Sequence, residues 1–221
     1  MSSKTAAIIG ATGLTGQHLK QLLLEDNYFD IVRLIVRRPL PKTNPRIEVK
    51  LVDFNDSESV QLALEEVHTI FCCIGTTQKK VKGDKTLYRK IDFDIPVHAA
   101  RLGKENNCEQ FIHMSSVGAN SSSGNFYLKL KGEVEEALKA SGINSIHIMR
   151  PSILLGKRQE FRLGERIGQT VATILSFLIP SKYKPIQSKT VAKAMLNAAK
   201  SGKTGFFVYE YKELMRLVYS S

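Results

Sequence analysis

The sequence predicts an α/β fold, doubly wound around a mostly parallel sheet, from three observations. Short apolar runs alternate with amphipathic segments along the chain, as strands alternate with helices. The apolar run at residues 69–74 is continuous, which indicates a strand covered on both faces, as in a parallel sheet. Three spaced glycines follow the first apolar run directly. The 221 residues suffice for one domain with a sizeable core and are too few for two.

The elements follow in chain order from apolar periodicity and from the residues that favour turns. Strands are predicted at residues 6–9, 34–36, 47–52, 69–74, 110–114, 143–149 and 206–209. Helices are predicted at residues 17–25, 57–66, 86–104, 127–140, 163–178 and 190–199. This alternation predicts a parallel sheet with the strand order 3-2-1-4-5-6.

The glycines between the first strand and the first helix have the spacing G-x-x-G-x-x-G. Glycine allows a tight turn and a close approach of the backbone to phosphates, and the unpaired N–H groups of the new helix face the anion. The sequence therefore predicts an NAD(P)-binding Rossmann fold. An ordinary turn between a strand and a helix is the alternative. The residues expected to contact the cofactor here are Gly10, Thr12, Gly13, Leu14, Thr15 and Gly16.

The end of the second strand selects between the two nicotinamide cofactors in this class of fold. An Asp or Glu there would hold the adenosine 2′-hydroxyl of NAD, but this chain carries Arg37 and Arg38. A guanidinium can bind a 2′-phosphate bidentately, whereas a carboxylate would repel it. NADP(H) is therefore predicted over NAD(H), with a pair of solvated arginines as the alternative.

Two further contacts with the cofactor are predicted along the carboxyl edge of the sheet. Asp53 ends the third strand, where its carboxylate can accept a hydrogen bond from the adenine amino group. The alternative role for Asp53 is to cap the helix that begins near residue 57. Gly75 and Thr76 follow the fourth strand at the edge along which the cofactor must pass, with an ordinary turn as the alternative.

A hydroxyl, a phenol and an ammonium are predicted to carry the chemistry. Ser115 and Ser116 end the fifth strand, and Tyr127 and Lys131 lie one turn apart on the next helix. Of the seven tyrosines, Tyr127 alone has a lysine four residues later. A neighbouring ammonium favours phenolate and so makes a phenol a better acid near neutral pH. Ser116 would hold a carbonyl oxygen, Tyr127 would donate a proton as hydride arrives, and Lys131 would also reach ribose hydroxyls.

Composition narrows the choice of partners. The net charge is +11, but the basic residues are spread and no aromatic-interleaved patch accompanies them, so no nucleic acid is predicted as a partner. The longest apolar stretch, residues 171–180, is too short to span a bilayer, and the N-terminus lacks the apolar core of a signal peptide, so no membrane is predicted either. Three cysteines and five scattered histidines indicate a reducing, cytoplasmic protein without a metal site. A monomer and a homodimer both stay open.

At these residues the chain resembles the short-chain dehydrogenase/reductases, and most of all an atypical branch that includes the human Tat-interacting-protein oxidoreductase. The similarity runs over most of the chain, and the pieces specific to the branch are Cys-Cys-Ile-Gly-Thr-Thr at 72–77 and Arg-Gln-Glu at 158–160. The resemblance implies NADPH as the cofactor and contacts from Pro151 and Ile153 to the nicotinamide. Asp92 stands where the family has a fourth catalytic residue, an Asn, so the resemblance does not carry an Asn-supported proton relay to this chain.

Two functions from different classes follow. The first is an NADP(H)-dependent oxidoreductase of the short-chain dehydrogenase/reductase type, acting on a small carbonyl or alcohol. The second is an NADPH-binding regulatory or redox-sensing protein without significant turnover, which the missing Asn and the basic surface favour and the intact Ser–Tyr–Lys set opposes. Residues 1–221 are predicted to form a single NAD(P)-binding Rossmann domain in which 151–221 contribute a small substrate cap. Since a sugar-nucleotide epimerase usually has a larger cap, that activity is disfavoured.

Overall fold

Seven parallel strands form the central sheet in the computed structural model, which describes residues 3–156 and 180–219. The strands are β1 (Thr5–Ile9), β2 (Ile31–Val36), β3 (Ile47–Leu51), β4 (Thr69–Cys72), β5 (Gln110–Met114), β6 (Ser145–Met149) and, after two short strands, β9 (Gly205–Tyr209). Their order is β3-β2-β1-β4-β5-β6-β9, and each neighbouring pair is parallel. The predicted α/β fold and the predicted order of the first six strands are confirmed, and the predicted last strand joins the sheet beside β6.

Helices connect the strands and cover the sheet. They are α1 (Leu14–Glu25), α2 (Ser57–Ala63), α3 (Lys85–Arg89), α4 (Ile95–Glu105), α5 (Phe126–Lys139), α6 (Ser188–Lys200) and α7 (Tyr211–Tyr219). One turn of π-helix, Lys90–Asp94, joins α3 to α4 and is called the π-turn below. The helix predicted at 86–104 is therefore continuous but irregular. No helix within the described ranges is long and apolar enough to cross a membrane.

The secondary structure differs from the sequence-based expectation at several elements. The helix α7 and a second sheet, made of β7 (Leu154–Leu155) and β8 (Ile186–Gln187), were not predicted. The helix predicted at 163–178 lies outside the described residues. The helix α2 ends three residues early, because the buried Arg33 donates hydrogen bonds to the carbonyls of Ala63 and Glu65, and Glu66 adopts a φ of 58°.

Two hydrophobic layers cover the sheet, one on each face. Ile8 and Ile9 are neighbours on β1, and they point to opposite layers because successive side chains of a strand alternate. The helices α1, α6 and α7 form the layer on the Ile8 side, which contains Leu19 and Val191. The helices α2, α4 and α5 form the other layer, which contains Leu138. Every residue of β1 is buried, as expected for a strand covered on both faces.

A buried chain of hydrogen bonds holds the edge strand β9 against β6. The Ser145 hydroxyl donates to the Lys203 carbonyl at 2.6 Å, so the Nε2–H of His147, 2.9 Å away, donates to the Ser145 oxygen. The Nδ1 of the neutral His147 ring is then the acceptor for the Tyr209 hydroxyl at 2.9 Å. Burial lowers the pKa of His147 to about 4, which keeps the ring in this neutral form.

Candidate functional site

Two of the glycines at the turn between β1 and α1 have no room for a side chain. A Cβ on Gly10 would lie 2.8 Å from the carbonyl carbon of Cys73, and one on Gly16 would collide with the Gly10 oxygen. Gly10 also has a φ of 91°, in the region that favours glycine. The turn therefore packs against the end of β4, and its backbone can approach a ligand closely.

The N–H groups in the first turn of α1 have no side-chain cap among the described residues. Gly13 is the N-cap and has no side chain to accept from them, and no acidic residue lies in the first turn. Thr12 and Gly13 are exposed, Leu14 is half-buried, and Thr15 is buried under the turn. An uncapped helix N-terminus carries partial positive charge and binds anions, so this cradle fits a dinucleotide pyrophosphate.

The arginines predicted to select the cofactor lie beside this turn. Arg37 and Arg38 follow the last residue of β2, and β2 is the neighbour of β1 in the sheet. Both side chains are exposed, so their guanidinium groups are accessible to a ligand that passes the edge of the sheet. The arrangement fits the binding of a 2′-phosphate.

Asp53 lies farther along the same edge, after β3. Its carboxylate accepts hydrogen bonds from the backbone N–H of Asn55 at 2.9 Å and from the Asn55 amide at 2.7 Å. Asp56, and not Asp53, is the N-cap of α2, where it accepts from the N–H of Glu58. The capping alternative for Asp53 is therefore wrong, and its contact with adenine stays a prediction.

The loop after β4 is tied to the π-turn. The N–H of Thr76 donates to Oδ2 of Asp92 at 2.7 Å, and the hydroxyl of Tyr88 donates to the Thr76 carbonyl at 3.3 Å. A Cβ on Gly75 would lie 3.5 Å from Oδ1 of Asp92. Asp92 thus fixes the loop that holds two of the predicted cofactor contacts, which the sequence pattern did not reveal.

The two serines after β5 have different surroundings. Ser115 is buried, and its hydroxyl donates to Oε1 of Glu135 at 2.5 Å. Glu135 also pairs with Arg150, whose Nη2 lies 2.5 Å from Oε2. Ser116 is half-buried, and its hydroxyl makes a long contact, 3.4 Å, with the carbonyl of its neighbour Val117. Ser116 is therefore the hydroxyl that can turn to a substrate.

The helix α5 brings Tyr127 and Lys131 to this edge. The helix packs closely on the loop after β5, because Gly132 leaves no room for a Cβ against the backbone of Asn120 and Ser121. Tyr127 is half-buried, whereas Lys131 is 3% exposed. The sequence gives one signal for this packing, a glycine in a helix interior, where it is otherwise unfavourable.

The charge of Lys131 is paired with an acid. Its Nζ lies 3.1 Å from Oδ1 of Asp92. Burial alone would lower the pKa of Lys131, but the attraction of the Asp92 carboxylate outweighs it, and the pKa lies above its usual value. Lys131 is therefore an ammonium at neutral pH, and it lies one helical turn beyond Tyr127 on α5.

The loop after β6 completes the edge. The carbonyl of Pro151 accepts from the N–H of Val117 at 2.9 Å, so this loop runs beside the one that carries Ser116. Pro151 is buried, and Ile153 is 42% exposed. Both positions predicted to contact the nicotinamide thus lie at the same edge of the sheet as the predicted catalytic residues.

Comparisons with known proteins agree with this arrangement. A family profile described as NAD(P)H-binding matches residues 10–201. Protein HTATIP2 of Rattus norvegicus is 34% identical over 208 residues, which cover 93% of this chain and 85% of that protein. Protein FMP52, mitochondrial, of Debaryomyces hansenii is 35% identical over 202 residues, which cover 88% of this chain and 87% of that protein.

Solved structures share the fold. A UDP-N-acetylglucosamine 4-epimerase from Methanobrevibacter ruminantium has a TM-score of 0.71 at 20% identity, covering 95% of this chain and 77% of its own. The enzyme WbmH from Bordetella bronchiseptica, in complex with NAD+, has a TM-score of 0.71 at 17% identity, covering 95% of this chain and 76% of its own. With the resemblance thus confirmed, the chain belongs to the NAD(P)H-binding family, in the branch of the short-chain dehydrogenase/reductases that includes HTATIP2.

Proposed function

We propose that the protein is an NADP(H)-dependent oxidoreductase that interconverts a small carbonyl compound and its alcohol. The observation that carries this proposal is the position of the buried Lys131, which is paired with Asp92 at 3.1 Å, one turn of α5 beyond the half-buried Tyr127. A hydroxyl, Ser116, ends the neighbouring strand at the same edge of the sheet. These groups supply a carbonyl-binding donor, an acid and a charge, which together suit carbonyl reduction.

The residues that would hold the cofactor fit NADPH. The glycine turn and the open N-terminus of α1 suit its pyrophosphate, because backbone N–H groups there have no side-chain cap. Arg37 and Arg38 suit its 2′-phosphate, because both are exposed where NAD-specific folds carry a carboxylate. Lys131 would donate to the ribose hydroxyls.

The protein's own residues would divide the reaction between them. Bound NADPH would supply the hydride. Ser116 would donate a hydrogen bond to the substrate oxygen and orient it. Tyr127 would transfer its phenolic proton to that oxygen as negative charge develops there. Lys131 would then stabilise the Tyr127 phenolate until it regains a proton from solvent.

A regulatory function is the second candidate, and one observation favours it. Asp92 lies 3.1 Å from Lys131, so the pair has no net charge. Such a pair stabilises a Tyr127 phenolate less than an unpaired ammonium would. In this alternative the protein binds NADPH and changes its affinity for a partner without turnover. The alternative keeps the cofactor site and removes the roles of Ser116 and Tyr127 in chemistry.

The experiment that separates the two candidates is NADPH oxidation measured against a panel of aldehydes, ketones and quinones. We expect at least one carbonyl compound to be reduced, and we expect that activity to need NADPH more than NADH. NADPH binding without reduction of any member of the panel would favour the regulatory function.

We also infer a small-molecule substrate as the main partner, and no nucleic acid or membrane. The net charge of +11 is then accounted for by solubility and an anionic cofactor. The cytoplasm is the proposed location, although the FMP52 relatives are named mitochondrial, so fractionation of cells that express the tagged chain is the appropriate test. Recovery of the chain in mitochondria would contradict this location.

A further inference from the structure

Asp92 is a buried acid carried by an irregular piece of helix. The π-turn Lys90–Asp94 holds it between α3 and α4, and such turns, which widen a helix by one residue, are frequent at functional sites. Asp92 is 1% exposed. Burial of a carboxylate is costly unless the group is paired and hydrogen-bonded, so the contacts of Asp92 decide what it does.

The two oxygens of Asp92 contact two different parts of the site. Oδ2 accepts the N–H of Thr76 at 2.7 Å, and Oδ1 lies 3.1 Å from Nζ of Lys131. Thr76 belongs to the loop after β4 that the cofactor must pass, and Lys131 belongs to α5, which carries Tyr127. One side chain therefore joins the cofactor loop to the helix that carries the acid.

The groups that face Lys131 from the sheet supply no negative charge. Burial raises the pKa of the Cys72 thiol on β4 to about 12, so Cys72 stays protonated. His113 on β5 is fully buried, and neither of its ring nitrogens has a hydrogen-bond partner among the described residues. Burial and the Lys131 charge lower its pKa well below the usual value. His113 is therefore neutral.

The groups on α5 itself do not replace Asp92 either. Glu135 lies one turn beyond Lys131, but its carboxylate is engaged by Ser115 and by Arg150. Tyr127, one turn before Lys131, becomes negative only after it has given up its proton. In the described part of the chain, Asp92 is thus the resting anion opposite Lys131.

We propose that Asp92 is a positioning residue that keeps Lys131 protonated for Tyr127 and for the cofactor ribose, and that holds the cofactor loop through Thr76. The part that concerns Tyr127 rests on the proposed oxidoreductase function. The parts that concern the charge of Lys131 and the loop rest on cofactor binding alone. They can therefore be tested in the protein without a substrate.

The first test is the stability of Asp92→Asn against pH, with Asp94→Asn as the matched control on the same π-turn, where Asp94 is exposed. The amide removes the charge and leaves Lys131 buried without an anion, so we expect the melting temperature at pH 7 to fall by about 10 °C. The unpaired Lys131 then has a pKa below its unfolded value, so the deficit should shrink as the pH rises toward 10. Asp94→Asn should show neither effect.

A second variant separates a lost charge pair from lost packing. Lys131→Met, added to Asp92→Asn, removes the stranded cation and keeps an unbranched chain of similar length. We expect the double variant to melt several degrees above Asp92→Asn, because the cost of an uncompensated buried charge is gone. This comparison stays informative when Asp92→Asn alone is too unstable to purify. A double variant no more stable than Asp92→Asn would contradict the charge role.

The third test measures NADPH affinity by nucleotide fluorescence across pH. An Asn at position 92 still has an oxygen for the N–H of Thr76, so Asp92→Asn should bind NADPH normally near neutral pH and lose affinity at a lower alkaline pH than the wild type. Asp92→Ala also frees the loop, so its affinity should fall by about tenfold at every pH. The Asn variant thus keeps the hydrogen bond that holds the loop at Thr76 but loses the negative charge that pairs with Lys131.

These readouts distinguish the inference from the proposed function. If no carbonyl compound is reduced but both pH effects appear, the oxidoreductase proposal fails and the role of Asp92 toward Lys131 and the cofactor holds. The inference itself is overturned if Asp92→Asn behaves like Asp94→Asn in melting temperature and in the pH dependence of NADPH binding.

Discussion

The Ser115 hydroxyl donates a 2.5 Å hydrogen bond to Glu135, a residue one turn beyond Lys131 on the same helix. Both side chains are buried, and Glu135 is also paired with Arg150 at the end of β6. The first of two adjacent hydroxyls is therefore used to join β5, α5 and β6. The second, Ser116, is half-buried, and in the proposed function its hydroxyl binds the substrate.

Substitution of the two serines should therefore have opposite effects. We expect Ser116→Ala to lower kcat/KM by about 10²-fold, since it removes a donor to the substrate oxygen, and to leave the melting temperature nearly unchanged. We expect Ser115→Ala to cost about 1–3 kcal/mol of unfolding free energy, because a buried charged acceptor loses a donor. Steady-state kinetics and urea unfolding of both variants provide the measurement. Equal loss of activity in both would contradict the assignment.

The sequence alone could not distinguish Ser115 from Ser116, because the difference depends on Glu135, which lies on the following helix. The pattern at 115–116 shows two equivalent hydroxyls after a strand, and Glu135 becomes relevant only once α5 packs on the sheet. The order of the strands was predictable, since strand and helix alternate locally and the connections of a parallel sheet have one hand. The π-turn that places Asp92 was not predictable, because the spacing of apolar residues does not reveal that a helical turn contains an extra residue.

The preference for NADPH should depend on the two exposed arginines after β2. We expect wild-type protein to bind NADPH at least about tenfold more tightly than NADH, because each charge-assisted contact contributes roughly 1.5–3 kcal/mol. Arg37→Ala with Arg38→Ala should weaken NADPH binding and leave NADH binding unchanged. Titration calorimetry with both nucleotides measures this, and Lys42→Ala, an exposed cation in the following loop, is the control. Equal affinities of the wild type for both nucleotides would end the claim.

The close packing of α5 on the loop after β5 should depend on Gly132. A Cβ there would collide with the backbone of Asn120 and Ser121, so we expect Gly132→Ala to cost about 1–3 kcal/mol of unfolding free energy, despite the better helix propensity of Ala. Gly124→Ala is the matched control, because nothing lies within 4 Å of its Cβ. Chemical denaturation decides between them, and a Gly132→Ala variant as stable as the control would show that the loop yields.

The buried histidine of the β6–β9 network should make the protein sensitive to acid. Burial lowers the pKa of His147 from 6.5 to about 4, so between these pH values the unfolded chain binds a proton that the folded chain does not. Stability is therefore full above pH 6.5 and falls by about 3 kcal/mol as the pH approaches 4. His113, whose pKa is also lowered by burial, adds to the loss.

The contribution of His147 can be isolated by comparing how steeply the unfolding free energy of each protein falls as the pH is lowered. We expect His147→Phe to be less stable than the wild type at pH 7, since Tyr209 loses its acceptor and Ser145 loses one of its two partners. We also expect this variant to lose less stability on acidification. Urea unfolding at several pH values between 4 and 7 gives the slopes. Parallel slopes for the wild type and His147→Phe would refute the assignment.

Tyr127 should act in chemistry without contributing to cofactor binding. Tyr127→Phe removes only the hydroxyl, so the ring still packs against the apolar cluster that contains Tyr88 and Leu130, and NADPH should bind as before. Turnover of the first substrate found should fall by about 10²–10⁴-fold, the usual contribution of a positioned acid. Lys131→Ala should weaken NADPH binding as well, because the ammonium serves both the phenol and the ribose.

The control for this prediction is Tyr219→Phe, which changes a tyrosine that is 73% exposed and should affect neither quantity. The regulatory alternative makes a different forecast, in which Tyr127→Phe leaves binding and any residual activity unchanged because the phenol only packs. Steady-state kinetics with NADPH affinity measured alongside separates the two, since the oxidoreductase requires kcat to fall while the dissociation constant holds. An unchanged kcat would refute the catalytic role of Tyr127. It would not contradict the proposed cofactor site, because the glycine turn and the arginines do not depend on Tyr127.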